Sequence, residues 1–139
     1  MRINAFLTGA ALALGLGNTV QAQFNSAAEV KPILEMTQGN WLGVRVYDGN
    51  DLLYFTHLVT FRCGLEEVLY GLNGETPSQP LPMQPCDENA PNPAAMDPVN
   101  FPPYMTFPVG SIHSVSLIIM YDDGDIQDVT FERAQIQMQ

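Results

Sequence analysis

The sequence predicts an α+β fold: a short N-terminal helix with an antiparallel sheet of about five or six strands, curled into a small sandwich or half-open barrel and stapled by one disulfide. Three observations carry this prediction. Apolar residues take helical spacing near the N-terminus, at Val30, Ile33 and Leu34. From Trp41 onward they alternate with period two, as in half-buried strands. Asp-Gly and Asn-Gly pairs then punctuate the alternating runs in the manner of hairpin turns.

Residues 1–22 read as a secretory signal peptide. Met1-Arg2 gives a positive start, Ala5 to Leu16 a compact apolar run, and Val20-Gln21-Ala22 a small-residue cleavage site before Gln23. The apolar run is too short to span a bilayer, and no later segment approaches the length of a membrane helix. The first cysteine is Cys63, so no lipid-modifiable thiol sits at the cut. The expectation is a single mature domain, 23–139, located in the periplasm or secreted, with no integral membrane segment after cleavage.

Ser26-Ala-Ala-Glu29 has capping-box spacing. Pro32 would remove a needed N–H from a helix begun at Ser26, so the predicted helix runs from 28 to 38, with Gly39 as its stop. Leu42, Val44 and Val46 then define a strand, and Asp48-Gly49-Asn50-Asp51 a turn. Leu52 to Cys63 is apolar on both faces, with Leu53, Phe55, Val59 and Phe61 on one and Tyr54 and Leu58 on the other. That pattern predicts a covered central strand.

Gly64 offers a turn into a strand at Leu65 to Leu72, where Val68, Tyr70 and Leu72 alternate, and Asn73-Gly74 closes it. A second hairpin follows. Val115, Leu117, Ile119 and Tyr121 share a face, Asp122-Asp123-Gly124-Asp125 turns the chain, and Val129 and Phe131 resume the inward pattern. Ala134 and Ile136 lie on the opposite parity, which predicts a bulge or bend near Glu132-Arg133. The expected core is Leu42, Val44, Val46, Phe55, Val59, Phe61, Val68, Tyr70, Val115, Leu117, Ile119, Val129 and Phe131.

Ten of the 11 prolines lie between Pro77 and Pro108. Proline has no N–H for a ladder, so the stretch 75–108 is expected to be a surface loop that contributes no central strand. Cys63 and Cys86 are an even pair in an oxidising compartment and read as a disulfide tying this loop down. A reactive thiol or a metal ligand is the rival reading. Neither cysteine belongs to a CxxC or has a histidine at zinc spacing.

Without Arg2 the four remaining cations, Lys31, Arg45, Arg62 and Arg133, face 15 carboxylates, a net charge of −11. Such a surface repels nucleic acid and anionic lipid and attracts metal cations and basic proteins. Asp122, Asp123 and Asp125 invite a calcium reading, though the spacing fails an EF-hand and a solvated hairpin tip explains the same residues; Asp48 to Asp51 carries the same two readings. His57 and His113, with Met83, Met96, Met105 or Met120, could assemble a copper site if the fold brings them together. Catalysis has little support: there is no GxSxG, HExxH, P-loop or Rossmann glycine pattern. His113-Ser114 and Glu66-Glu67 are strand neighbours that point to opposite faces. Tyr104, Phe101 and Trp41 are the candidate interaction residues.

Taken together, Asp51 to Leu58, Arg62-Cys63-Gly64-Leu65, Tyr70-Gly71-Leu72-Asn73-Gly74, Leu81-Pro82-Met83, Pro85-Cys86 and Tyr121 to Gly124 resemble a group of small exported proteobacterial proteins of unknown function. The resemblance implies export and paired cysteines, and it brings no activity, cofactor or catalytic residue. The functional expectation is a non-catalytic exported interaction domain that presents an acidic surface and the Pro-rich loop to an unidentified envelope protein. A cationic partner is included, as for an inhibitor of a secreted enzyme. The alternative is a periplasmic metal-binding domain, with Ca at the acidic turns or Cu at the His/Met set.

Overall fold

The computed structural model describes residues 24–139, so the expected signal peptide at 1–22 lies outside the described residues. Helix α1 (Ala27–Met36) is capped by Ser26, which accepts from the Glu29 N–H at 3.4 Å and donates its hydroxyl to Glu29 Oε1 at 2.7 Å. The Ser26 cap thus sets the start one residue before the predicted 28, and Pro32 is held inside the helix. The carbonyl left without its N–H belongs to Ala28, and both residues lie on the exposed face, where solvent can serve it. Gly39 is not the stop. The helix ends at Thr37, whose hydroxyl donates to the Ile33 carbonyl (2.6 Å), while the Trp41 indole N–H donates to the Leu34 carbonyl (2.9 Å). Both bonds reinforce the Thr37 backbone N–H, which already donates to the same two carbonyls (3.0 and 3.2 Å).

Strands β1 (Gly43–Tyr47) and β2 (Asn50–Tyr54) form a hairpin closed by Asp48 and Gly49, both at positive φ (51° and 72°). This is the type I′ geometry that Asp-Gly favours. Strands β5 (Tyr104–Pro108) and β8 (Gln137–Met138) complete a first sheet, ordered β5-β2-β1-β8, antiparallel except for β1 beside β8. The second sheet is antiparallel throughout. It contains β3 (Leu65–Leu72), β4 (Gln79–Pro80), β6 (Ser114–Tyr121) and β7 (Ile126–Glu132), ordered β4-β3-β6-β7. The fold is α+β, a small sandwich of two four-stranded sheets with one main helix and a Cys63–Cys86 disulfide. Val44 and Leu53 of the first sheet and Val68, Leu117 and Ile119 of the second share one buried cluster with Val30 and Leu34 of α1.

The predicted central strand from Leu52 to Cys63 is corrected. β2 stops at Tyr54 and is followed by α2 (Thr56–Thr60) and a 3₁₀ turn at Arg62–Gly64. Phe55 and Val59, four residues apart, share a face under either period, so their spacing alone cannot choose. Leu58 is buried with them, as helical spacing three residues after Phe55 also places it. The turn lies against α1 so closely that a β-carbon on Gly64 would overlap the Val30 side chain and sit 2.7 Å from the Ser26 carbonyl.

Two further expectations change in detail. Val46 is 50 % exposed: it lies across from Asp51, where the inner face of the hairpin becomes polar. Phe61, Tyr70 and Val129 are partly buried at the margin of the core. The expected bend near Glu132-Arg133 is the point where the chain changes sheets. Residues Arg133–Gln135 form a 3₁₀ turn, closed by the Glu132 N–H donating to Gln135 Oε1 (2.8 Å), and β8 then pairs with β1. Among the described residues no helix is long and apolar enough to cross a membrane.

Candidate functional site

The Pro-rich stretch supplies β4 and β5, both edge strands, as proline requires. Between them residues 82–103 are irregular, and two neighbouring side chains pin them. Cys63 bonds to Cys86, with the Cα atoms 5.2 Å apart. Arg62, only 3 % exposed, sends its guanidinium into the loop: Nη1 donates to the Val59 and Ala94 carbonyls (3.0 and 3.1 Å) and Nη2 to Ala95 (2.9 Å). Longer contacts reach Pro85 and Pro93 at 3.4 and 3.5 Å. None of these partners is a carboxylate, and Nε has no partner among the described residues. Burial pushes this guanidinium below its ordinary range, yet arginine stays charged at any physiological pH. Gln84 completes the clamp, donating to Ala95 O (3.0 Å) and accepting from the Asp97 N–H (2.7 Å).

The pinned loop exposes Met96, Val99, Phe101 and Tyr104. Tyr104 stacks on Tyr54 across the β2–β5 ladder, with ring centroids 5.1 Å apart, and the Met96 sulfur lies 3.9 Å from the Thr60 hydroxyl. Tyr54 and Thr60 in turn line a cleft of about 250 Å³ shared with Asn40, Thr56, His57 and Gln139. The apolar rim and the cleft are therefore one continuous region. Within it, Thr37 spends its proton on Ile33, so His57 Nε2 donates to Thr37 Oγ1 (2.7 Å) and Nδ1 holds the lone pair. Burial holds this histidine below its ordinary 6.5, so the ring is neutral at pH 7.

The sequence candidates separate in space. Phe101 and Tyr104 belong to the exposed rim, whereas Trp41 has no exposed surface and serves as a core residue that caps α1. Asp123 and Asp125 both accept from Lys31 Nζ (2.7 Å to Asp123), so the acidic turn is bolted to α1. These carboxylates raise the Lys31 ammonium above its ordinary 10.5, and the same contact lowers Asp123. Asp122 is raised by partial burial and by repulsion from Glu66, Glu88 and Asp123. His57 lies in α2, and His113 is exposed beside the Asn73 turn, where its N–H donates to Asn73 Oδ1 (2.7 Å). Among the described residues no three His, Cys, Asp or Glu side chains are grouped so as to hold a metal ion.

Sequence reasoning missed three anchors: Arg62 in its carbonyl cage, Lys31 on the acidic turn, and Asp51 with Arg133. Asp51 is fully buried in β2, not in the turn, and pairs in two places with Arg133 (Oδ2–Nη1 2.5 Å, Oδ1–Nη2 3.2 Å). Arg133 holds the Asp51 carboxyl below its ordinary range against the opposing effect of burial, with backbone N–H groups of Gly110 and Ile112 helping. A usable signal existed for two of them. Arg62 interrupts an apolar run beside a cysteine, and Asp51 shares strand parity with Leu53. No protein-family profile, characterised protein or solved structure matches this chain. Its function therefore has to be read from its own geometry.

Proposed function

We propose that this protein is an exported, non-catalytic interaction domain, periplasmic or secreted, that offers its pinned Pro-rich loop to a protein partner. The observation that carries the reading is the clamp: one buried guanidinium and one disulfide fix residues 82–103 while four apolar side chains remain outside. A loop already held in one shape loses little entropy on binding, which is the usual advantage of preorganised recognition surfaces. Tyr104 and Phe101 are the anchor types such surfaces favour.

Charge supports a cationic partner. Of the four cations in the described residues, Arg62 is buried, Arg133 is paired with Asp51, and Lys31 is held by two carboxylates. Arg45 stacks on Tyr47, 4.6 Å from the ring centroid. Twelve of the 15 carboxylates are exposed, so the outer surface is anionic and would steer a basic protein toward it.

The test is capture from envelope extract with the oxidised wild type and with a Phe101→Ala/Tyr104→Ala double variant, at low and at ~0.5 M salt. A partner retained by wild type at low salt, weakened by salt and lost by the double variant is the expected result. Equal capture by both proteins would reject the loop as the contact.

A further inference from the structure

The four sheet edges are guarded unequally. β4 and β8 are two residues long. In β5 the Phe55 N–H donates to Pro103 O and the Val109 N–H to Gly49 O, so odd-numbered positions face β2 and even ones face outward. Pro108 then occupies an outward position with no N–H to offer, and Pro102 stands just before the strand in the same phase. β7 is different: seven residues, no proline, nothing paired beyond it. Its phase is fixed by the Tyr121 N–H donating to Asp125 O (2.9 Å) and the Arg133 N–H to His113 O (2.8 Å). Odd-numbered residues of β7 exchange bonds with β6, and Ile126, Asp128 and Thr130 turn both backbone groups away from the sheet. A long open edge is a template for another strand, and proteins normally block it.

The side chains select the occupant. Ile126 (67 % exposed), Asp128, Thr130 and Glu132 stand on the solvent face of β7. Two copies meeting edge to edge would bring these carboxylates beside one another on chains that are already strongly anionic, and like charges across a pair destabilise it. A basic strand meets the opposite condition. We propose that the β7 edge is a docking site for an extended, basic segment of a partner protein. That segment adds as a fifth strand of the second sheet, with Lys or Arg opposite Asp128 and Glu132 and an apolar residue opposite Ile126. Backbone pairing gives the affinity and the alternate side chains give the selectivity. This inference stands apart from the Pro-rich loop, whose strands lie at the opposite edge of the second sheet, as β4, and at an edge of the first, as β5.

The test uses ¹⁵N-labelled, disulfide-intact protein and a blocked synthetic peptide of sequence Lys-Val-Thr-Val-Lys-Val-Ile. Amide exchange at Ile126, Asp128 and Thr130 should slow at least tenfold on peptide addition, while Gln127, Val129 and Phe131, already in the ladder, stay unchanged. Thr130→Pro removes an outward N–H, along with the Thr130–Ser116 hydroxyl contact (2.9 Å) within the sheet, and should weaken binding at least tenfold. Should that variant fail to fold, Asp128→Lys serves instead: it should lose this peptide and gain one with Glu in place of the second Lys, the residue opposite position 128. Protection elsewhere, no protection, or unaltered binding by these variants overturns the proposal. Concentration-dependent protection of the same amides without peptide would assign the edge to a second copy of the chain.

Discussion

Two arginines enter the interior of this small domain, and they are held in different ways. Arg133 meets a carboxylate that is itself fully buried, and the pair joins β2 of the first sheet to the turn that leaves the second. Arg62 meets carbonyl oxygens only, most of them from the Pro-rich loop. An ion pair concentrates its effect on one partner, so losing either group strands the other. A carbonyl cage spreads the charge over several peptide dipoles, so the solvation of the cation and the shape of the loop are the same variable. The first site ties the sandwich together. The second builds the proposed recognition surface.

The largest effect should come from Arg133→Ala, which leaves the Asp51 carboxylate buried without a cation. A loss of about 3–5 kcal/mol in denaturant unfolding is expected. Replacing both residues with apolar ones of similar volume should recover most of it. Removing the disulfide with Cys63→Ala/Cys86→Ala should cost about 3 kcal/mol in the same assay, given its loop length. Arg62→Lys keeps the charge but not the planar set of donors. We expect a loss of about 2 kcal/mol from unsatisfied carbonyls, with amide exchange accelerated in residues 84–97 and unchanged in β6. An exchange change spread over both sheets would erase the distinction between the two sites.

Acid sharpens the comparison. The Asp51 pKa is lowered on folding, so its contribution is full above the unfolded carboxylate range, near pH 4, and is lost as pH falls through the lower folded value. Arg62 is protonated in both states below pH 9 and adds no slope there. Stability of the wild type should therefore drop below about pH 4, and the Asp51→Asn variant should lose that part of the slope. His57 adds a shallower decline starting near pH 6.5, because its folded pKa is depressed and only the unfolded chain takes up the proton. The smallest effect belongs to Asp122→Asn. It relieves repulsion among Asp122, Glu66, Glu88 and Asp123 and should stabilise by about 0.5 kcal/mol, a solvent-screened amount.

What was legible in the sequence was local. The Ser26 cap, the Asp48-Gly49 turn, the β6–β7 hairpin and the pairing of Cys63 with Cys86 each follow from residues close in the chain or from a simple count. Misreadings arose where two periods coincide, as at Phe55 and Val59, or where a side chain's role depends on a distant partner. Trp41 looked like a surface anchor because nothing nearby in sequence shows that its indole N–H reaches back to the Leu34 carbonyl. Lys31 and the acidic turn lie more than 90 residues apart in sequence, so the turn read as free carboxylates. The rim of the candidate site, Phe101 and Tyr104, was visible as aromatics among prolines. The clamp beneath it was not, since a guanidinium that binds only backbone leaves no complementary residue to find.

Asp51 and Arg133 are separated by 82 positions, and β1 waits longer still for its neighbour β8, with Gly43 beside Gln137. A chain threaded outward N-terminus first would deliver the aspartate early and its cation last. Until then the first hairpin holds a carboxylate that cannot be buried, and the sheet it belongs to lacks one edge. Late, distant pairing of this kind slows folding and makes it depend on nearly the whole polypeptide. The domain should acquire its stability in a single step once nearly the whole chain is available, with the early hairpin staying loose and reversible before it.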